Sequence, residues 1–357
     1  TLHSTDRTGA RISPSPESLA RRVADRVLKD FPEPPPFDWG EGVLMAGMMR
    51  AGVTFNEPRY IEFVKSWADH WQARGIADLL AEDKEKRLKG YCGQWGPGFA
   101  LLLLYEHTRE PAYLTSARQI ADFMLTQATR TDDGGLGHWA GNYQLWVDTL
   151  YMHGPLLARL SQYDRRPELL SDVVLQIEVY TERLRDPTTN LYYHMYDAPK
   201  NTRSSEFWAR GNGWVAMTLV EVLPFLEPGS DEARSIREHL LRLMDALRRT
   251  QDPATGRWHT VLDRPDSYLE TSASAMILAA FVQGHRAGLL QGDDRALIER
   301  AWRGLTTQVD DWGWVFGVSG GTTPGGYANY ADKVTGTYTW GTGAFLLAAS
   351  AMAGPHH

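Results

Sequence analysis

The chain has a single cysteine, Cys92, in 357 residues. An intrachain disulfide and a cysteine-cluster metal site are therefore excluded, and a reducing compartment is compatible. No His-Glu-x-x-His occurs and the 11 histidines show no ligand spacing, so neither a metal nor another cofactor is expected. Basic residues are also short: 37 Lys and Arg stand against 44 Asp and Glu, a net charge of -7. With no Lys/Arg block to follow a phosphate backbone, nucleic acid is excluded as a partner. Long apolar runs are missing too. The longest, around Phe345 to Met352, is far below membrane-spanning length. A cytoplasmic location is expected; the chain begins at Thr1 without a methionine, which leaves a secreted or periplasmic one open if a signal peptide has been removed.

Tryptophan, by contrast, is abundant. There are 13, beside 15 tyrosines, in a chain that is 43% hydrophobic and 23% charged. These are values of a globular protein with a substantial core, but the excess of flat rings is also what stacking on pyranose faces needs. Helical periodicity recurs along the chain, broken by Gly, Pro and Asp. An amphipathic stretch such as "ESLARRVADRVLKDF" is followed each time by a more apolar one such as "GEGVLMAGMMRAG", six times, at a spacing of roughly fifty to sixty residues. Helices apolar all round are buried and amphipathic ones cover them. The expected fold is all-α, six hairpins closed into an (α/α)6 barrel. Residues 1–16 read as a flexible polar leader and 17–357 as one domain.

Several apolar segments begin after aromatic, glycine-rich stretches: "FDWGEG", "CGQWGPG", "WARGNGW" and "TYTWGTG". The inner helices should thus present their N-terminal ends, with unpaired N–H groups and positive dipole ends, at one mouth. A cleft lined there by Trp39, Trp95, Trp208, Trp214 and Trp340, with Arg210 among them, suits an acidic sugar. In "WARGNGW" the Gly-Asn-Gly is expected to form a tight turn that leaves Trp208, Arg210, Asn212 and Trp214 standing.

Other short patterns fail on context. "GNGWVA" has the spacing of a dinucleotide loop but no strand before it. "GVSGG" around Ser319 lacks the helix of a nucleophile elbow. Asp148, in "YQLWVDTLYMHG", is read as an inner-helix start, with Gln144, Tyr151 and Met152 on its face. It is either a helix cap or a carboxyl whose pKa is raised by aromatic neighbours until it can deliver a proton. Arg210 either pairs with Glu206 or offers its planar fork to a carboxylate. His138 and His194 lie in aromatic loops and are either structural or part of the site. Glu270 is expected to bond backbone or an arginine inside the barrel.

Together "WVDTLYMHGPLLARL", "LYYHMYD", "WARGNGWVAM", "YLETSASAM" and "GVSGGT" with "GTGAFLLA" resemble a divergent member of glycoside hydrolase family 105. These are unsaturated rhamnogalacturonyl hydrolases, related to the unsaturated glucuronyl hydrolases of family 88. The similarity runs from about Phe37 to Ala353. It implies a six-hairpin barrel and a substrate with a C4=C5 unsaturated uronic acid at the non-reducing end. An Asp acid/base protonates C4 and helps deliver water to C5; the resulting hemiketal opens and expels the neighbouring sugar. On this resemblance Asp148 is the catalytic acid/base, Arg210 meets the uronate carboxylate, and His194, Trp208 and Trp214 contact substrate; Trp39, Trp95, His138 and Trp146 are further expected contacts.

Two departures stand out. The family carries another Asp shortly before a Pro-Gly, where this chain reads "GYCGQWGPG", its nearest acids upstream being Asp83 and Glu85. The usual Asp and His near the C-terminus are replaced in "TYTWGTGAF". The source polymer is therefore open, and glucuronyl-rhamnose and glucuronyl-galactose ends are options. The competing readings are an inverting hydrolase of saturated uronosides and a non-catalytic barrel that binds acidic sugars. The expected partner is an acidic oligosaccharide, met by a monomer or homodimer.

Overall fold

Proline opens many of the helices, because its fixed φ suits the first turn and its missing N–H is not needed there. It does so in α1 (Pro16–Asp30), α3 (Pro58–Arg74), α5 (Pro97–Thr108), α6 (Pro111–Thr126) and α8 (Pro167–Leu184). Side-chain oxygens of Ser15, Glu57 and, for α10 (Asp231–Thr250), Ser230 cap orphan backbone N–H groups. The structure is a computed structural model that describes residues 13–31, 33–81 and 89–354.

Six helices form an inner ring: α2 (Trp39–Thr54), α5, α7 (Thr149–Leu160), α9 (Ala209–Val222), α11 (Thr271–Arg286) and α14 (Thr339–Met352). Each packs on the next, and α14 closes the ring on α2. The amphipathic α3, α6, α8, α10 and α12 (Arg295–Thr306) cover them, and α1 packs across α14 and α2. This is the six-hairpin (α/α)6 barrel expected from the alternation of mixed and apolar segments. Short additions complete it: α4 (Ile76–Ala81) and α13 (Tyr327–Ala331).

The chain departs from an all-helical reading at the barrel mouth. Strands β1 (Gln144–Trp146), β2 (Met195–Asp197) and β3 (Thr202–Arg203) make a small antiparallel sheet, and β4 (Val318–Ser319) pairs with β5 (Thr335–Gly336). Gln144 is therefore in a strand and does not share a helical face with Asp148. The Gly-Asn-Gly segment is not a turn either: it lies in the first turns of α9 with negative φ. These glycines serve close approach. A Cβ on Gly211 would sit 2.8 Å from the Val147 side chain, and one on Gly213 3.0 Å from that of Met276. Residues 1–12 of the leader lie outside the described residues, as do Asp83 and Glu85. The leader's end is built in: the Trp302 indole donates to the Pro14 carbonyl at 3.3 Å, and Ser15 caps α1.

Ring closure depends on two glycines where α2 and α14 meet backbone to backbone. A Cβ on Gly343 would lie 2.4 Å from the Val43 carbonyl oxygen, and one on Gly47 would lie 2.6 Å from that of Gly343. Neither obstacle is a side chain that can rotate away. Gly343→Ala should therefore destabilise the fold by about 2–3 kcal/mol, the upper range for overpacking. Chemical denaturation compared with Ser350→Ala, on the same helix, measures it; equal midpoints for Gly343→Ala and the parent would contradict the close contact.

Candidate active site

The starts of α2, α5, α7 and α9 converge on a cavity of about 190 Å3 at the barrel mouth. It is lined by Trp39 at the start of α2, by residues 91–93 ahead of α5, by His138, Trp146, Asp148 and Met152, and by Trp208, Arg210 and residues 321–323. Six of the residues expected from sequence thus meet in one place: Trp39, His138, Trp146, Asp148, Trp208 and Arg210. His194 stands directly behind them.

Asp148 occupies the position before α7, yet its side chain makes no capping bond. It is met by His194, whose Nε2 lies 3.2 Å from Oδ1, and the aspartate side chain is 17% exposed. The mouth sheet sets this meeting. Trp146 pairs with Met195 across β1 and β2, and the Val147 N–H donates to the His194 carbonyl at 2.9 Å. Asn212 clamps the same loop from α9: its Oδ1 accepts from the Tyr192 N–H at 2.8 Å and its Nδ2 donates to the Tyr192 carbonyl at 3.0 Å. The Trp208 ring stacks on the imidazole at 4.2 Å.

The electrostatic outcome differs from the raised pKa expected from sequence. Burial pushes the Asp148 carboxyl up, but the opposing effects, led by the hydrogen bond from His194, hold it below the ordinary aspartate value. The aromatic neighbours were legible; the histidine partner that outweighs them comes from 46 residues away.

His138 forms a neutral wall. Its ring stacks on Trp146 at 3.9 Å, and Nδ1 lies 3.2 Å from Cys92 Sγ and 3.3 Å from Thr149 Oγ1. Burial pulls its pKa down to about 3. The Cys92 thiol is in turn pushed up by burial, so it stays protonated. Gly93 has no room for a side chain: a Cβ would lie 2.3 Å from the Tyr91 ring and 2.7 Å from Asp38 Oδ1. An acid carried on the neighbouring α2 start thus abuts the segment where the expected aspartate is missing.

Arg210 is held inside the wall by its two outer nitrogens, while its buried Nε has no hydrogen-bond partner. Its Nη1 donates to the Ser319 hydroxyl at 2.6 Å and carbonyl at 3.0 Å, and Nη2 to the Gly320 carbonyl at 2.9 Å and Thr322 Oγ1 at 3.3 Å. Its ion-pair partner is Glu270 at 3.7 Å, not Glu206. The guanidinium lies 4.7 Å over Trp208 and 5.7 Å over Trp340. Glu270 behaves as its sequence context suggests, accepting from the N–H groups of Ala273 and Ser319 and from the Ser272 hydroxyl.

Trp95 and Trp214 are corrections. They are 1% and 0% exposed, and neither reaches the cavity. Trp95 packs near Phe123, and Trp214 stacks on Tyr151 at 4.9 Å. Both belong to the core, not the cleft. Asn212 is likewise buried. Trp340 packs on Trp39 and borders a neighbouring cavity with Glu41 and Tyr338. Sequence reasoning placed Met152 on the face of Asp148 but did not name Tyr91, Cys92, Thr322 and Thr323 as lining, although their segments were singled out as motifs. Among the described residues, no group of three or more His, Cys, Asp or Glu is placed to hold a metal ion.

The chain resembles known proteins over nearly its full length. It is 33% identical over 314 residues to the unsaturated rhamnogalacturonyl hydrolase YesR of Bacillus subtilis, covering 86% of each. It is 26% identical over 335 residues to an unsaturated 3S-rhamnoglycuronyl hydrolase of Formosa agariphila, covering 88% of this chain and 84% of that one. The fold matches a crystal structure from Klebsiella pneumoniae, described as a possible member of glycoside hydrolase family 105. Its TM-score is 0.85 at 22% identity, over 99% of this chain and 98% of that one. The family model for glycosyl hydrolase family 88 matches residues 15–354. A helical barrel with a carboxylate, tryptophans and an arginine gathered at its mouth therefore belongs to glycosyl hydrolase family 88, and the chain is a glycosidase.

Proposed function

We propose that the enzyme removes a C4=C5 unsaturated uronic acid from the non-reducing end of lyase-generated oligosaccharides. The reaction is hydration of the vinyl ether, with Asp148 as general acid and base. The observation that carries this reading is the solitary carboxylate. Asp148 is the one acid lining the cavity among the described residues, and it is hydrogen-bonded to His194. An inverting attack on a saturated uronoside needs two carboxyl groups about 6.5–9.5 Å apart across the sugar. The names of the relatives support the same class, since one acts on unsaturated rhamnogalacturonyl and another on unsaturated 3S-rhamnoglycuronyl substrates.

In this mechanism Asp148 gives its proton to C4, and the positive charge that develops at C5 is shared with the ring oxygen. Water then adds at C5 as Asp148 takes back a proton. The hemiketal opens, the aglycone sugar leaves, and a keto-deoxyuronate remains. Trp39, Trp146 and Trp208 offer flat faces to the ring. Arg210 supplies the positive charge that attracts the uronate, while its outer nitrogens hold Thr322 in the wall. A neutral His138 lets the sugar approach without a competing cation.

Asp148 must be protonated to act, and in the free protein its pKa is held low. The bound uronate changes that. A second carboxylate in the same small cavity disfavours the charged form of Asp148 and raises its pKa. Substrate thus loads the proton that the reaction consumes.

Loss of ultraviolet absorbance of the conjugated uronate follows the reaction on a panel of lyase-generated oligosaccharides. The wild type should bleach at least one member, and Asp148→Asn should be slower by about 10²–10⁴-fold, the contribution of a general acid. No bleaching of any member by folded wild type would overturn the hydration reading and leave saturated uronosides or pure binding. The pH profile tests the loading step: activity falls as pH rises and Asp148 loses its proton, and this fall should come at higher pH in kcat than in kcat/KM. Coincident falls would show that the substrate does not shift Asp148.

A further inference from the structure

Tyr330 lies 136 residues from His194 in sequence, yet its hydroxyl is 2.9 Å from His194 Nδ1. It is buried, at 1% exposure, and is absent from the cavity lining. It sits on α13, inside the excursion between β4 and β5 that also carries Thr322 and Thr323. The hydroxyl has a second partner: the Gly325 N–H donates to it at 3.3 Å. That donor takes a lone pair of the oxygen, and the tyrosine proton points at the imidazole.

We propose that Tyr330 is a positioning residue that fixes His194 as the Nε2–H tautomer and thereby directs the site's exchangeable proton to Asp148. Nδ1, accepting from Tyr330, has no free lone pair, so Nε2 carries the hydrogen and donates it to Asp148 Oδ1. A further proton entering the pair has two destinations. On Nδ1 it would displace the Tyr330 hydrogen bond and give an imidazolium locked to a carboxylate. On the outer oxygen of Asp148 it displaces nothing and is placed for delivery. Tyr330 thus selects the acid over the ion pair.

The other groups around the ring do not supply this bias. Trp208 stacks on one face and Trp146 meets it edge-on. His138 is held neutral by burial, and Arg210 is tied to Ser319, Gly320 and Glu270. Glu206 acts on Tyr330 only through its charge, and burial keeps the Tyr330 phenol protonated.

The inference rests on Asp148 as the acid, so its test has one readout that needs no substrate. In protein labelled with 15N-histidine, the His194 ring signal is identified by its loss in His194→Gln. In the wild type at neutral pH, Nδ1 should be unprotonated and Nε2 protonated. In Tyr330→Phe the ring should protonate at both nitrogens at the same pH, and kcat should fall by up to about tenfold, the scale of one hydrogen bond, with KM little changed. Tyr327→Phe is the control, because it loosens the same helix by losing a 2.9 Å bond to Asp266 without touching His194. A protonated Nδ1 in the wild type, an unaltered ring in Tyr330→Phe, or the same change in Tyr327→Phe would each overturn the proposal. Absence of turnover by wild type would overturn the hydration reading instead, and the ring signals would still decide the tautomer.

Discussion

The hydrogen bond between Asp148 and His194 is the contact on which the arrangement of the mouth turns. A carboxylate at a helix start ordinarily caps its own backbone. Here it is drawn away because a short strand pair brings the His194 segment alongside residues 146 and 147. Asn212 from α9 holds Tyr192, two residues upstream, by both its N–H and its carbonyl. Trp208 fills the face of the ring. Three segments far apart in sequence are thereby joined at one imidazole, and that precision is what proton transfer to carbon requires.

The second constraint is a buried charge. Arg210 is 1% exposed and Glu270 0%, so each would be costly alone. They are tolerated because each is also hydrogen-bonded to the 319–322 segment. Removing one partner of such a pair typically costs about 3–5 kcal/mol, since the other is left uncompensated. The pair is therefore also a latch. It ties the excursion that bears Thr322, Thr323 and Tyr330 to the starts of α9 and α11, and the cavity wall shares the stability of the core.

Much of this was legible in the sequence, and the limits have physical causes. Six alternations of amphipathic and apolar segments specify the barrel, because burial on one face or on all faces leaves a strong periodic signal. That alternation also brings the inner N-termini together, which is why Asp148, Arg210, Trp208 and His138 could be anticipated as neighbours. Strands of two and three residues leave no periodicity, so the pairing that aligns Asp148 with His194 was invisible. Trp214 and Trp208 share one motif, yet one is core and the other lines the cavity. Only the direction of each side chain from the helix separates them. Cys92 and Tyr330 gain meaning from partners 46 and 136 residues away, a separation no local pattern encodes.

A single acid fits hydration better than it fits acetal cleavage. Cutting a saturated glycoside requires one group to protonate the leaving oxygen while another activates water on the opposite face. In a vinyl ether the proton goes to carbon, and the cation that forms is already stabilised by the ring oxygen. The same carboxylate, deprotonated by that step, is left beside C5 as the base for water. Nothing in the sequence of events calls for a second carboxylate, and the cavity wall also carries a neutral imidazole and a protonated thiol. At Gly93 the backbone is pressed against Tyr91 and Asp38, so an acidic side chain could not be introduced there without moving both. The wall is thus built around the reaction's economy of charge: one carboxylate whose protonation is set by a histidine behind it and a uronate in front of it.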